Sequence, residues 1–337
     1  MARAGTIGLC LFGLNFAAAP QDSQLPGQKP VFRTQSNIVL APALVTDRRG
    51  SVIYGLQAGD FVIEDDGVEQ PVQLDEEPAS LPVSLVVAVQ LGRTAAAELP
   101  RIRTLATMLE PILSQGRNRA AIVTFDSEVN LVRGFTTNPD LIAADLGRLR
   151  PGDQQAVILD AVGYAIALLK HEPKERQRVI LLVSETRDHG SHVRTLEETV
   201  RDITDSNTLV YTLAFSPTVS NLLDDARGKL ERKGNAVDLG ELATKLTIMA
   251  IQAMRKNAPK TIAAMTGGEY ELFKSHAGFE SRMVEFANHL HNRYLLSFEP
   301  KDPHPGLHRV RVRLRQSAEA TVLARDRYWA DSAKNSP

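Results

Sequence analysis

A chain of 337 residues with 43% hydrophobic and 23% charged positions is long enough for one large domain or two modest ones, each with a real core, and is not a disordered chain. A formal net charge of -1 without a clustered basic excess excludes a general nucleic-acid binder. Cys10 is the only cysteine.

The chain opens with Arg3, an apolar stretch from Ile7 to Phe16, and Ala17, Ala18 and Ala19 before Pro20. This succession reads as a secretory signal over residues 1–19 and predicts export to the periplasm or the extracellular space. The stretch is short for a membrane span and is broken by Asn15, and no later run approaches the ~20 apolar residues that a transmembrane helix needs. Cleavage after Ala19 removes Cys10, leaving no thiol for a disulfide, a metal or a nucleophile. Residues 20–36, rich in Pro, Gln and Ser, read as a flexible leader.

Short strands follow from Asn37. Phe61 and Ile63 alternate ahead of Asp66-Gly67, a hairpin turn signal. Residues 37–78 are too few to close a β-sandwich alone, so they predict partner strands elsewhere in the chain.

Ser84 to Val89 is short, β-rich and apolar on both faces, as expected of a central parallel strand covered by helices on each side. Open α/β sheets place their ligand sites at the carboxyl ends of such strands, which directs attention to Gln90, Gly92 and Thr94. The periodicity predicts a helix over 95–115 with Ile102, Leu105, Leu109 and Ile112 on one face, interrupted in sequence by Pro100 and Pro111. A strand pair (120–125 and 129–132) comes next, then a helix capped by Asn138 with Pro139 as its first residue, then a helix over 157–169. Two more apolar strands, RVILLVSET and TLVYTLAFS, flank a helix near 196–206 and complete the signature of a doubly wound, mostly parallel sheet. Residues 222–257 read as helical, with Leu242, Leu246, Met249 and Met254 as the packing stripe. Beyond a Gly-Gly turn, EYELF and a helix over 280–292, β patterns return in RYLLSFEP, HRVRVRLRQ and ATVLARDRYW. These supply the strands missing from the N-terminal sandwich.

The order of GLQAGDFVIEDDGVEQPV, the α/β segment, TGGEY, RYLLSFEP, HRVRVRL and ARDRYW resembles the von Willebrand factor type A fold. More closely, it resembles the von Willebrand factor A-related family of exported bacterial proteins, over nearly all of residues 31–330. The resemblance implies a Rossmann-like A domain over 79–275, a connecting helix over 276–291 and a sandwich completed by 292–330. It also implies a metal-ion-dependent adhesion site, in which Asp-x-Ser-x-Ser, a Thr and an Asp hold Mg²⁺. By position these fall on Gln90, Gly92, Thr94, Ala156 and Glu185. Only Thr94 keeps the expected chemistry, since Gln90 is neutral, Gly92 and Ala156 carry no ligand atom, and Glu185 is one methylene longer than Asp.

The expectation is therefore a non-enzymatic interaction module with a protein partner, no cofactor and no bound metal, using Gln90, Gly92, Thr94, Ala156 and Glu185 as its binding face. Restoring the four altered positions with Gln90→Asp, Gly92→Ser, Ala156→Thr and Glu185→Asp is expected to recreate Mg²⁺ affinity. The alternatives are a rebuilt Mg²⁺ site on Glu185 and Thr94, a hydrolytic enzyme using Glu185 and Asp188, and a structural subunit of an envelope assembly. His189 and His192 read as loop histidines, Asp126 and Glu128 as a solvated strand turn, and Arg309, Arg311, Arg313 and Arg315 as one solvated strand face. No phosphate loop, nucleophile turn or zinc-protease signature is present.

Overall fold

The computed structural model describes residues 38–75, 81–92, 95–114, 116–215, 239–273, 275–316 and 319–330. The signal and leader segments, Arg93, Thr94 and the first part of the helix expected from 222 lie outside the described residues. In chain order come β1 (Val39–Thr46), β2 (Phe61–Asp65), β3 (Val68–Gln70), β4 (Gln73–Asp75), β5 (Val83–Gln90), α1 (Ala95–Ile102), α2 (Leu105–Leu113), β6 (Arg119–Phe125) and β7 (Val129–Thr136). Then follow α3 (Pro139–Gly147), α4 (Ile158–Lys170), β8 (Gln177–Ser184), α5 (Leu196–Asp205), β9 (Leu209–Ala214), α6 (Leu239–Lys256), α7 (Ala258–Thr266), β10 (Tyr270–Leu272) and α8 (His276–His291). The chain ends with β11 (Tyr294–Phe298), β12 (Gly306–Leu314), β13 (Thr321–Ala324) and β14 (Arg327–Ala330).

Six strands form one sheet in the order β10-β9-β8-β5-β6-β7, parallel except for β7. Every residue of β5 is buried. Strand geometry sends successive side chains to opposite faces, so Leu85, Val87 and Val89 pack with α1, α2, α3 and α8, while Val86 and Ala88 pack with α4, α5, α6 and α7. This two-sided burial is the physical reason for the unbroken apolar run in the sequence. Helix α8 belongs to this packing through Phe279, Met283, Phe286 and Leu290.

The segment expected as one helix over 95–115 is two helices, broken at Arg103 and Thr104. Both prolines lie inside helices rather than at the break, and the expected face of Ile102, Leu105, Leu109 and Ile112 is buried as one row. Asn138 caps α3 as expected, its side chain accepting from the Asp140 N–H. The stripe on α6 needs a correction. Leu246, Ala250 and Met254, spaced by four, are buried, whereas Met249 falls on the flank of that row and Ile248 on the far side, both exposed.

The two ends of the chain form a pair of four-stranded sheets, β13-β1-β11-β4 and β14-β12-β2-β3. Strand β1 pairs antiparallel with β11 and with β13, and β2 with β12, so neither sheet exists without both ends. Their shared core holds Val39, Ala41, Ala43, Phe61, Ile63, Leu296, Phe298, Val310 and Tyr328. Asp66 (φ 47°) and Gly67 (φ 89°) make the tight turn between β2 and β3 with the left-handed backbone that Asp-Gly favours. On β12, Val310 faces this core, while Arg313 and Arg315 reach across to Glu64 and Glu69.

Arg325, between β13 and β14, fastens the sandwich to the α/β body. Its buried guanidinium donates to the carbonyls of Leu40 on β1, Thr204 on α5 and Arg327. Burial pulls its pKa down to about 10, which still leaves it charged at neutral pH. Gly267 ends α7 at φ 77°, and a Cβ there would lie 2.5 Å from the Arg325 backbone nitrogen. Only glycine allows the chain to pass so close in that conformation. Gly267→Ala is expected to destabilise the fold by roughly 1–2 kcal/mol from the left-handed backbone alone, with a further loss as Arg325 is displaced. Urea unfolding of the variant measures the sum, and an unchanged midpoint contradicts the assigned contact.

Candidate functional site

Strands β5 and β8 are neighbours at the centre of the sheet. The chain continues from β5 to β6 on one side and reaches β8 on the other. The crevice beyond their carboxyl ends is therefore the topological switch point, the usual ligand position in an open α/β sheet.

Gln90, the last residue of β5, is fully buried there. Its Oε1 accepts the Glu185 backbone N–H at 2.8 Å, and its Nε2 donates to the Gly92 carbonyl at 3.1 Å and to Glu185 Oε1 at 3.3 Å. A carboxamide carries donor and acceptor on one neutral planar head. Gln90 thus ties the end of β5 to the segment after β8 and places a partial positive charge against the buried Glu185 carboxylate.

Gly92 lies under the loop before α4. A Cβ there would fall 2.1 Å from the Gln155 carbonyl oxygen and 2.7 Å from that of Asp153. The position admits glycine because of this close approach, so the expected restoration with Gly92→Ser fails on space before any metal is considered. The same loop is sewn down on both flanks. The Gly152 N–H donates to the Leu91 carbonyl at 3.0 Å, and the Val157 N–H to the Asp126 carbonyl at 3.0 Å. Ala156 and His189 exchange backbone hydrogen bonds at 3.0 and 2.8 Å.

Helix α4 begins after Val157, which has no capping side chain. Its exposed N–H groups need acceptors, and these come from the loop after β8. Asp188 Oδ1 accepts from the Leu159 N–H at 3.0 Å and from the Ser191 hydroxyl at 2.5 Å, and Ser191 Oγ accepts from the Asp160 N–H. In return the Asp160 carboxylate accepts the His192 and Val193 N–H groups at 2.9 and 3.2 Å. The uncapped start of α4 was the sequence signal for this set, which motif reading missed. Asp188 caps the start of α4, and Glu185 is buried against Gln90. His189 and His192 lie in the loop, as expected.

Of the five residues named from the sequence, the structure brings four together, namely Gln90, Gly92, Ala156 and Glu185, all buried. Thr94 is outside the described residues. Mg²⁺ asks for about six hard oxygen ligands in near-octahedral array. At the described positions only Glu185 supplies an acidic oxygen, and the Gln90 Nε2 donor already faces both that carboxylate and the Gly92 carbonyl. The exposed rim above them carries Glu128, Asp153, Gln154, Arg187, His192 and Val193. Hydrogen bonds from the Ser127 side chain and the Gln155 N–H hold the Asp153 carboxyl below its usual range. A separate cleft of about 350 Å³, lined by Leu40, Pro42, Arg176, Arg178, His291 and Arg293, opens at the other end of the sheet.

The isosteric change Gln90→Glu removes the donor and sets a carboxylate against Glu185. It is expected to cost roughly 1–3 kcal/mol or more at neutral pH, the range for a buried polar group left unsatisfied. The loss should shrink as pH falls through the carboxyl range and protonation restores a donor. Denaturation of both forms at neutral and acidic pH tests this, and equal stabilities at neutral pH contradict the clamp.

Residues 94–188 match the family model of the von Willebrand factor type A domain. No curated protein matches the chain in sequence. Among solved structures, the chain is similar to the conserved hypothetical protein BatB from Bacteroides thetaiotaomicron, at 14% identity over 62% of this chain and 98% of that one, with a TM-score of 0.40. It is similar to the von Willebrand factor domain of the type V pilus tip protein Mfa5 from Porphyromonas gingivalis, at 10% identity over 62% and 95%, TM-score 0.43. A third is proximal thread matrix protein 1 from the mussel byssus with a zinc-occupied metal-ion-dependent adhesion motif, at 11% identity over 68% and 50%, TM-score 0.42. With a central, mostly parallel sheet flanked by helices and a family match that runs from the turn after β5 to the loop after β8, the chain carries a von Willebrand factor type A domain.

Proposed function

We propose that this protein is an exported, non-enzymatic interaction module whose A domain binds a protein partner without a bridging metal ion. The observation that carries the reading is the Gln90 amide. It sets a neutral donor against Glu185 Oε1 at 3.3 Å, where the family pattern has a carboxylate that calls for a divalent cation. Gln90, Gly92, Ala156 and Glu185 then act as a buried frame. The partner meets the exposed rim of Glu128, Asp153, Gln154, Arg187 and Val193, where direct polar contacts replace metal bridging. Mixed charge around one exposed apolar side chain suits a protein surface better than a polyanion. Among the described residues no helix is long and apolar enough to cross a membrane. Export rests on the order of Arg3, the apolar stretch and the alanines before Pro20.

Titration calorimetry of the purified protein with Mg²⁺ and Mn²⁺ is expected to show no micromolar binding at this face. Partners captured from the envelope of the native host should be the same in Mg²⁺ and in chelator, and should be lost with Asp153→Arg combined with Arg187→Glu. Micromolar Mg²⁺ affinity abolished by Glu185→Ala, with capture lost in chelator, overturns the reading in favour of metal-dependent adhesion. For export, N-terminal sequencing of the native protein is expected to begin near Pro20 or Gln21. Intact Met1 on cytoplasmic protein removes that part of the proposal.

A further inference from the structure

At one end of the sandwich, far from the A-domain crevice in sequence, two acidic and two imidazole side chains meet. Asp65 ends β2 and Asp66 opens its turn. His308 lies on β12 opposite Tyr328 of β14, and His304 lies in the loop just before β12. The His308 side chain is 1% exposed and those of Asp65 and Asp66 are 5% and 9% exposed. His308 Nδ1 is 3.3 Å from Asp65 Oδ1 and 3.0 Å from Asp66 Oδ2, and His304 Nε2 is 3.6 Å from Asp66 Oδ2. Yet His308 Nδ1, Asp65 Oδ1 and Asp66 Oδ2 have no hydrogen-bond partner of acceptable geometry. Buried polar atoms are rarely left in that state.

Most of the remaining atoms of these groups are held as well, the exception being His304 Nδ1, which has no hydrogen-bond partner. His308 Nε2 lies 2.7 Å from the His304 carbonyl, which can only accept, so Nε2 carries the proton and Nδ1 is directed at the two carboxylates. Tyr328 donates its hydroxyl to Asp65 Oδ2 at 2.9 Å, and the Arg309 N–H donates to Asp66 Oδ1 at 2.9 Å. The His304 and His308 rings stack, and Tyr328 stacks on the other face of His308. For His308 and Asp66 the atom facing the cluster is thus unpartnered while the opposite atom is anchored, which is the outer-shell pattern that orients metal ligands.

The spacing discriminates between a proton and a metal. One proton on Nδ1 lies along a single in-plane direction and serves at most one oxygen well, leaving the second carboxylate oxygen and His304 without a positive partner. A tetrahedral zinc ion with ligands at about 2.0–2.1 Å sets its ligand atoms about 3.3–3.4 Å apart. Asp66 Oδ2 lies 3.0 and 3.6 Å from the facing nitrogens of His308 and His304, separations that straddle that value. Two imidazoles with one carboxylate and a water in the fourth position favour Zn²⁺ among biological divalent cations, since Mg²⁺ and Ca²⁺ prefer all-oxygen shells of higher number.

We propose that Asp66, His304 and His308, whose ligand atoms all lie within 4.8 Å of one another beside Asp65, form a site for a first-row divalent transition metal, zinc by chemistry, that clips the N-terminal strand pair of the sandwich to its C-terminal strand. The ion enters past His304, the most exposed of the three. It joins segments about 240 residues apart in the chain, where closing a long loop favours the folded state most. The site is independent of the A-domain face and of its proposed partner.

The test uses the full chain, stripped with chelator and titrated with Zn²⁺ alone and with Co²⁺ alone. The expected result is one ion per chain with submicromolar affinity for Zn²⁺, a Co²⁺ spectrum in the visible range typical of four-coordinate nitrogen and oxygen ligation, and a higher thermal midpoint when Zn²⁺ is bound. Asp66→Asn and His304→Gln should abolish this binding. Tyr328→Phe, which keeps every ligand and the aromatic packing, should weaken it about 10- to 100-fold. The surface change His171→Ala should leave it unaltered. Loss of fold in Asp66→Asn leaves His304→Gln and Tyr328→Phe to decide. Absence of stoichiometric Zn²⁺ binding to the unmodified chain, or equal affinity in folded His304→Gln and Tyr328→Phe, overturns the proposal and leaves the cluster held by a proton.

Discussion

The architecture turns on one buried cation. The Arg325 guanidinium reaches the carbonyls of Leu40, Thr204 and Arg327, so a single side chain contacts the first strand, a helix of the A domain and the last strand. A charge buried without partners is costly enough to be neutralised or expelled. Here it is retained because three carbonyl oxygens converge on a planar head able to serve them together. Gly267 allows that segment to approach α7, and the Asp326 N–H donates to the Ala264 carbonyl at 3.2 Å, so backbone as well as side chain closes the seam. The sandwich and the A domain are consequently set against each other by polar contacts of defined direction, with Leu307 and Trp329 adding apolar contact beneath.

At the switch point the governing quantity is charge. Two carboxylates at 3.3 Å would repel by about 5 kcal/mol at an effective dielectric constant near 20, and a cation must then lie between them. With Gln90 in place of one, the same separation becomes a hydrogen bond and the requirement disappears. The carbonyls of Asp153 and Gln155 occupy the space over Gly92 that a side chain would need, so steric and electrostatic features of the crevice agree. Two independent features pointing the same way are stronger than either substitution alone.

The sheet was legible because burial on both faces writes itself into the sequence as unbroken apolar runs at β5, β8 and β9. The sandwich was legible because each end of the chain showed strands without enough partners. The break between α1 and α2 was not, since both prolines invite a kink that the structure places at Arg103 and Thr104 instead. Met249 went astray because helical period fixes a stripe only to within a residue. At the crevice, the loss of the Asp and Ser types was visible, whereas the amide's hold on Glu185 and the carbonyl ceiling over Gly92 depend on loops that meet only in three dimensions. The same holds for Asp66 and His308, which no spacing rule connects and which the β2–β12 register brings together.

The pairing of Asp75 on β4 with Leu295 on β11 means that the A domain leaves and re-enters the sandwich through adjacent strands. Tension applied between residues 38 and 330 would therefore be borne first by β1 against β11 and β13 and by β14 against β12, with Arg325 and Trp329 passing part of it to the A domain. Mechanical failure would then begin at the sandwich strands, ahead of the buried parallel sheet.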